Sequence, residues 1–393
     1  MRLLIVSHTP HYCQHQSFSG WGATVREIDH LAILFDQVVH LAPVHSGSPP
    51  GSSLAYTAPN VRVRPVTPAG GRTLFAKFGI LLRAPAWMAA IREEMQQADV
   101  IHVRCPSNIS LLALLMLFVR REPRPRWCKY AGNWQPEDHD RISYRLQRWL
   151  LRLSGHGAAV TVNGKWPSQP EHVVSFLNPC LTRAECRQGR ESLPRKELAS
   201  PIRLVFVGSL IPGKGADTAI RVLQHLSNES ARFSLDIVGD GPQRPTLERL
   251  ALAEGVADAV EFHGFVTRDA LPGFLERAHF LLHPSRSEGF PKVLAEGMAF
   301  GTVPLAGAVS GIPQLLRETG VGAAIDPRNE QGFVDAIRQF VRDEDRWKES
   351  ANRGLEAAEM FTYDAYLDRV IQLFETNFDV SLNHGHPSGV AGP

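Results

Sequence analysis

Cysteine is scarce in this 393-residue sequence. The five present (Cys13, Cys105, Cys128, Cys180 and Cys186) are scattered, odd in number and contain no C-x2-C pair. That excludes a disulfide framework and a cysteine-based zinc site, and it reads as reduced thiols in a cytoplasmic protein. Long apolar runs are also missing. None reaches the ~18 residues of a membrane span, and the longest candidate, Leu111 to Val119, reads as a buried helix. The opening MRLLIVSHTP has too short an apolar part for a signal peptide and reads as a first strand. Neither G-x4-G-K-[ST] nor G-x-G-x-x-G occurs, which excludes a P-loop and weakens a nicotinamide-dinucleotide reading. Net charge is only +2. The local arginine clusters come with no recognised nucleic-acid module, so nucleic acid is disfavoured as a partner.

What is present is α/β patterning over a length that calls for two domains. Short apolar runs at Arg2–Val6, Gln37–Leu41, Val61–Pro65, Val100–Val103, Trp127–Ala131 and Ala158–Val162 alternate with helical stretches. Those lie at Gly22–Phe35 and near residues 74–96, 107–120 and 140–153. Buried strands alternating with helices predict a parallel sheet covered on both faces. Residues 183–200 are polar without apolar periodicity and read as a linker. The pattern then restarts with strands at Ile202–Val207, Ser234–Val238, Val260–His263, Ala278–His283 and Thr302–Ala306. The expected organisation is an N-terminal domain (1–182), the linker (183–200) and a second, C-terminal domain (201–362). A helix (363–380) returns toward the first domain, and the tail (381–393) is flexible. Ligand would lie in a crevice beyond the strand C-termini.

Charge is uneven along the chain. Residues 1–200 hold 24 Lys and Arg against 14 Asp and Glu, whereas residues 201–393 hold 18 against 26. The basic half suits an anionic acceptor or a membrane surface as well as it suits plain solvation.

The segment HPSRSEGFPKVLAEGMAFGTVPLAG, from His283 to Gly307, places Glu288 eight residues before Glu296 with Gly-Phe-Pro-Lys between. A loop carboxylate, a helix N-terminus and a second carboxylate one turn in suit a ligand with both phosphate and hydroxyls. The loop from Val207 to Gly215 follows a strand and opens a helix. Its glycines allow close backbone approach and Lys214 adds a point charge, which suits a diphosphate.

In order, VFVGSLIPGKGADTAI, LDIVGDGPQRPTLE, VEFHGFVTRDAL and LLHPSRSEGFPKVLAEGMAFGTVPLAG resemble the retaining family-4 glycosyltransferases of the GT-B fold. That fold has two Rossmann-like parallel-sheet domains facing across a cleft. Weaker likenesses are SFSGWGATVREI, ADVIHVRCPSNISLLALL and KYAGNWQPE. The resemblance implies transfer of a hexose-type sugar from a nucleoside diphosphate sugar, commonly UDP-linked, to an acceptor hydroxyl. The anomeric configuration would be retained, with no metal or cofactor. It implies that Glu288 holds donor-sugar hydroxyls and that Glu296 binds the ribose. Backbone amides of Gly289, Phe290, Pro291 and Lys292 would face the sugar and diphosphate, although the proline among them has no N–H. Lys214 with Gly208 and Ser209 would meet the diphosphate, Gly22 would let it approach the first domain, and Gly264, Phe265 and Val266 would hold the base. The acceptor would be a carbohydrate or a lipid-linked molecule of surface polysaccharide or glycolipid synthesis, placing the protein at the inner face of the membrane.

Two departures stand out. Ser209 replaces an arginine of many family members, which removes one cation from the leaving diphosphate, with Arg104 and Lys292 as candidate replacements. Arg104 itself stands where several relatives carry an active-site histidine, and arginine cannot act as a base. His102 reads first as a buried strand-end histidine and second as a site residue. Asn133 is either an acceptor contact or a turn residue. His8, His11 and His15 read as a polar loop rather than a metal site. In RISYRLQRWLLRL, Arg141, Arg145, Arg148 and Arg152 share one helical face and Ile142, Leu146, Trp149, Leu150 and Leu153 another. The first reading is an apolar face packed on the sheet with solvated arginines. The second is a peripheral membrane contact. Rival functions are a catalytically silent nucleotide-sugar-binding protein, a sugar-nucleotide epimerase and, more distantly, an oxidoreductase.

Overall fold

The computed structural model describes residues 1–14, 17–70, 74–135, 140–227, 229 and 232–382. His15 and residues 383–393 of the expected tail lie outside the described residues. The chain divides into two compact units. The first is Met1–Phe176 with the chain from Leu367 on, and the second is Leu177–Tyr366.

The first unit contains β1 (Arg2–Val6), β2 (His11–Gln14), β3 (Ser17–Trp21), α1 (Gly22–Leu31), β4 (Gln37–His45), β5 (Ser53–Ala55), β6 (Val61–Val66) and α2 (Leu74–Met95). It continues through β7 (Val100–Cys105), α3 (Asn108–Val119), β8 (Arg126–Tyr130), α4 (Ile142–Arg152), β9 (Ala159–Val162) and β10 (Val173–Ser175). Strands β6-β4-β1-β7-β8-β9-β10 form a parallel sheet in that order. The continuous apolar runs of β1 and β7 arise because both faces are covered. Leu4, Val6, Ile101 and Val103 pack with Ile91, Leu114 and Leu117 in one core.

Strands β2, β3 and β5 extend this sheet beyond the end of β4, β3 pairing antiparallel with both neighbours. Sequence reading placed only a strand–loop opening there. These strands are short and polar, so no alternation marks them.

Helix α4 corrects an expectation. Gln147, Arg148, Leu150 and Leu151 are its buried residues, while Ile142, Leu146, Trp149 and Leu153 are exposed. Arg148 turns inward because it has partners there: the Asp140 carboxylate, the Tyr130 hydroxyl at 2.9 Å and the Asn133 carbonyl at 3.3 Å. Of the predicted apolar face, Leu150 alone is fully buried.

The second unit contains α5 (Arg183–Ser192), β11 (Ile202–Val207), α6 (Ala216–Leu226), β12 (Phe233–Val238), α7 (Arg244–Ala253), β13 (Val260–Gly264), α8 (Leu271–Arg277) and β14 (Phe280–His283). Then come α9 (Lys292–Ala299), β15 (Val303–Gly307), α10 (Ile312–Thr319), β16 (Ala323–Ile325), α11 (Glu330–Arg342), α12 (Glu344–Ala358) and α13 (Tyr363–Phe378). All strands are parallel, in the order β13-β12-β11-β14-β15-β16. Renumbered from β11, this is the doubly wound 3-2-1-4-5-6 order, whose ligand crevice opens between the first and fourth strands. The β11 and β14 C-termini therefore mark the place to look. From Leu367 on, α13 groups with the first unit.

The expected linker 183–200 is also corrected. It holds α5, opened by a reciprocal capping box between Thr182 and Glu185. Gly189 faces α9, where a Cβ would overlap the Ala299 carbonyl. Downstream, Lys196 is partly buried and donates to the carbonyls of Leu275, Ala278 and Phe300 at 2.7–2.9 Å. Polar composition here serves capping and carbonyl satisfaction, so it carries no apolar period.

Candidate active site

The loop after β11 and the loop after β14 are fastened together. The Arg286 amide donates to the Gly213 carbonyl at 2.8 Å, and the Ser285 hydroxyl to the same oxygen at 3.3 Å. Gly215, the N-cap of α6, has φ +86°. A Cβ there would also run into the Pro284 carbonyl, so two demands meet at one glycine.

This fastening brings Lys214 to Glu288. The Lys214 ammonium donates to Glu288 Oε1 at 2.6 Å, and His283 Nε2 donates to the same oxygen at 3.0 Å. Burial alone would raise the Glu288 pKa. The hydrogen bond and charge of His283, then those of Lys214, outweigh it and hold the carboxyl at about 2. Glu288 is thus an anion and a hydrogen-bond acceptor at neutral pH, not a proton donor. His283 is buried, and its Nδ1 has no hydrogen-bond partner among the described residues.

Gly289 to Pro291 lead into the N-terminus of α9, whose first residue is Lys292. The loop is held by Ser310, whose hydroxyl donates to the Gly289 carbonyl at 3.0 Å, and by Phe290 stacked on Phe361 at 5.1 Å. The α9 N-terminus therefore lies in the same loop system as Lys214 and Glu288. Glu296, one turn into α9, is nearly buried and ion-paired with Arg268. The same guanidinium donates to Glu185 at 2.8 Å and to the Cys180 carbonyl at 2.7 Å.

The remaining predicted donor residues follow the sheet edge. Gly208 accepts the close approach of Gly239, where a Cβ would overlap the Gly208 carbonyl, and Ser209 is exposed next to it. Gly264, at φ +70°, accepts the Gly239 amide at 2.8 Å. Phe265 beyond it is half exposed and Val266 partly buried.

In the first unit, four predicted residues are committed to the chain itself. At Gly22 the close approach is made by the chain's own Ser52 carbonyl, 2.9 Å from a would-be Cβ. Arg104 donates to both oxygens of Glu27, at 2.7 and 3.1 Å, and Lys129 adds a third bond at 2.5 Å. Its cation is therefore occupied by a buried carboxylate rather than offered to phosphate. His102 is fully buried, its ring 3.8 Å from that of Trp127. Burial, with Arg104 and Lys129 nearby, keeps it neutral, so it is not placed as a surface site residue. Asn133 Oδ1 accepts the Gln135 amide at 3.1 Å, a turn contact.

His11 belongs to a buried chain of hydrogen bonds. His11 Nδ1 donates to the Thr9 carbonyl at 2.9 Å, so its Nε2 accepts from Tyr56. His40 Nδ1 then donates to Tyr56, and Ser7 to His40 Nε2. His8 is exposed and lines a cavity of about 510 Å³ with Trp87, Ser107, Arg141 and Tyr144.

Among the described residues, one group could hold a metal ion: Asp236, Glu261 and His263. His263 already bonds Asp236 at 2.6 Å and Arg277 approaches the other oxygen at 3.2 Å.

Sequence reading missed His283, Arg268 and Glu27. His283 and Arg268 lie inside quoted motifs, but only the fold reveals their carboxylate partners. Glu27 meets residues 77 and 102 positions away, and no local pattern announces that.

Residues 190–359 match the family model described as glycosyl transferases group 1. A GDP-mannose-dependent alpha-(1-6)-phosphatidylinositol monomannoside mannosyltransferase of Mycobacterium tuberculosis is 33% identical over 171 residues. The match covers 42% of this chain and 43% of the relative's length. Sucrose-phosphate synthase from Thermosynechococcus elongatus has the same fold, with a TM-score of 0.71 at 18% identity over 97% of this chain and all of that one. Anabaena HepE, solved with UDP and glucose, aligns at 0.68 and 16% identity over 96% of this chain and all of its own. The chain accordingly has the GT-B fold, and its residues 190–359 are similar to the group 1 glycosyltransferases.

Proposed function

We propose that the protein transfers a hexose from a nucleoside diphosphate sugar to a hydroxyl of a carbohydrate or lipid-linked acceptor. The anomeric configuration is retained and neither metal nor cofactor takes part. The observation that carries this reading is the Lys214–Glu288 pair, set beside the α9 N-terminus at the C-terminal ends of β11 and β14. Glu288, kept anionic, accepts sugar hydroxyls. Lys214, Lys292 and the N-terminus of α9 face the diphosphate, whose growing charge on departure is what such groups stabilise. Glu296 takes the ribose hydroxyls, and Gly264 to Val266 take the base. Ser209 brings no charge and Arg104 is engaged by Glu27, so the leaving group relies on Lys214 and Lys292.

The relatives differ in base. The mycobacterial protein is named for GDP-mannose and the Anabaena protein was solved with UDP and glucose. A thermal-shift screen of GDP- and UDP-linked hexoses, followed by transfer assays with the stabilising donor, identifies the base. The residue assignment is tested by Glu288→Gln, expected to lower transfer by roughly 10²–10³-fold. Near wild-type transfer by a folded Glu288→Gln protein would refute it. Ser209 favours a second reading, a binding protein without catalysis. Donor binding with no hydrolysis or transfer would establish that instead.

A further inference from the structure

Helix α4 is apolar on the side turned away from its own core. Its buried residues are Gln147, Arg148, Leu150 and Leu151. At 100° per residue, Ile142, Leu146, Trp149 and Leu153 form a stripe on the opposite side. Ile142 is 85% exposed and Trp149 56%, with Leu146 and Leu153 exposed in line with them. Arg145 and Arg152 border the stripe on one flank, and Arg141 stands at its N-terminal end; all three are exposed. The helix contains no Asp or Glu.

Its neighbour α3, against which α4 packs, repeats the arrangement. Ile109, Ser110, Ala113, Leu114 and Leu117 face inward, whereas Leu115 and Val119, opposite them, are exposed, Val119 at 82%. Exposed Arg121 and Arg124 follow its C-terminus. Two adjacent helices thus present apolar residues outward and carry arginines at the border. Such a surface costs free energy in water and is expected to have an occupant.

We propose that the outer face of α3 and α4 docks on an anionic lipid bilayer, with Ile142, Trp149 and Val119 entering the interface and Arg141, Arg145 and Arg152 meeting lipid phosphates. Charge selects this occupant. An isologous contact with a second copy would set arginine-bordered stripes against each other, whereas a bilayer of acidic headgroups complements them. The indole of Trp149 suits the headgroup level. No described helix is long and apolar enough to cross a membrane, so the contact is peripheral. It is independent of the catalytic reading.

Co-sedimentation of the full chain with vesicles provides the test. Binding is expected to mixed phosphatidylcholine–phosphatidylglycerol vesicles, to fall as salt rises, and to be far weaker on phosphatidylcholine alone. The double variant Ile142→Ser/Trp149→Ser should weaken it by roughly tenfold or more. Its thermal midpoint should hold, because both side chains are exposed. Arg141→Glu/Arg152→Glu should act in the same direction, and it carries the test should the serine variant unfold. Failure of the wild-type chain to bind acidic vesicles at low salt would overturn the proposal, as would undiminished binding by folded variants. A dimer in sedimentation velocity that the serine variant dissolves would assign the face to a second copy instead.

Discussion

Lys214 and His283 converge on a single oxygen of Glu288, at 2.6 and 3.0 Å. Two donors on one oxygen fix the carboxylate in place and fix Lys214 with it. Lys214→Met should therefore do two things. Transfer should fall by roughly 10²–10³-fold, because a cation facing the leaving diphosphate is gone. The Glu288 pKa should also rise from about 2, measurable by carbon-detected NMR titration. A lowered rate with an unchanged Glu288 titration would separate the lysine from the carboxylate.

The same clamp makes stability depend on acidity. The Glu288 pKa is depressed in the fold from 4.5 to about 2. Its stabilisation is complete above pH 4.5 and is lost as pH falls toward 2. The full effect is roughly 3 kcal/mol. Urea midpoints measured from pH 6 to pH 2.5 should decline less steeply for Glu288→Gln than for wild type. Parallel curves would place the acid sensitivity elsewhere.

Arg268 ties Glu296 on α9 to Glu185 in the α5 capping box and to the Cys180 carbonyl. Arg268→Ala would leave two largely buried carboxylates without their cation. A loss of roughly 3–5 kcal/mol is expected, read as a lowered urea midpoint. Lysine should recover little of it, since an ammonium cannot span three acceptors held by a planar fork. Full recovery by Arg268→Lys would show that charge alone suffices.

Much of this architecture is visible before folding. The apolar runs Arg2–Val6 and Ile202–Val207 mark the first strand of each sheet because parallel strands are covered on both faces. The loops bearing Lys214 and Glu288 are legible because glycines, proline and charge concentrate where a strand hands over to a helix. The direction of a face is less legible. The α4 sequence shows two sides, but which one meets the sheet depended on Asp140, Tyr130 and the Asn133 carbonyl receiving Arg148. Helix α5 did announce itself through the Thr182–Glu185 capping box, yet its polar sequence hid it from a search for apolar periodicity. Arg104 shows the limit from another side. A lone arginine at a strand end gives no hint that a helix glutamate 77 positions earlier has already taken it.

Gly215 offers a backbone test of how the two site loops are joined. A left-handed φ and the nearby Pro284 carbonyl both oppose a side chain. Gly215→Ala must displace the loop after β14 or that before α6. Stability should drop by roughly 1–3 kcal/mol, and donor affinity should fall with it, because Lys214 precedes the glycine directly. Gly213→Ala is the control. It shares a positive φ of +89° but meets nothing within 4 Å, so it should carry the backbone strain without displacing Pro284. Equal donor affinities in the two variants would mean that the Pro284 contact does not position Lys214.

The Glu27 cluster predicts a pattern across variants rather than a single loss. Glu27 is 1% exposed and receives Arg104 on both oxygens and Lys129 on one. Glu27→Ala removes the carboxylate that holds Arg104 and the buried Lys129 and should cost roughly 3–5 kcal/mol. Removing the cations as well, in Glu27→Ala/Arg104→Met/Lys129→Met, replaces an expensive charge cluster with apolar volume. Much of the lost stability should then return, because desolvation of three ions is no longer required. Chemical denaturation of the single and triple variants measures both. Should the triple variant be no more stable than Glu27→Ala, the carboxylate would be acting through packing on α1 rather than as the counter-ion of Arg104 and Lys129.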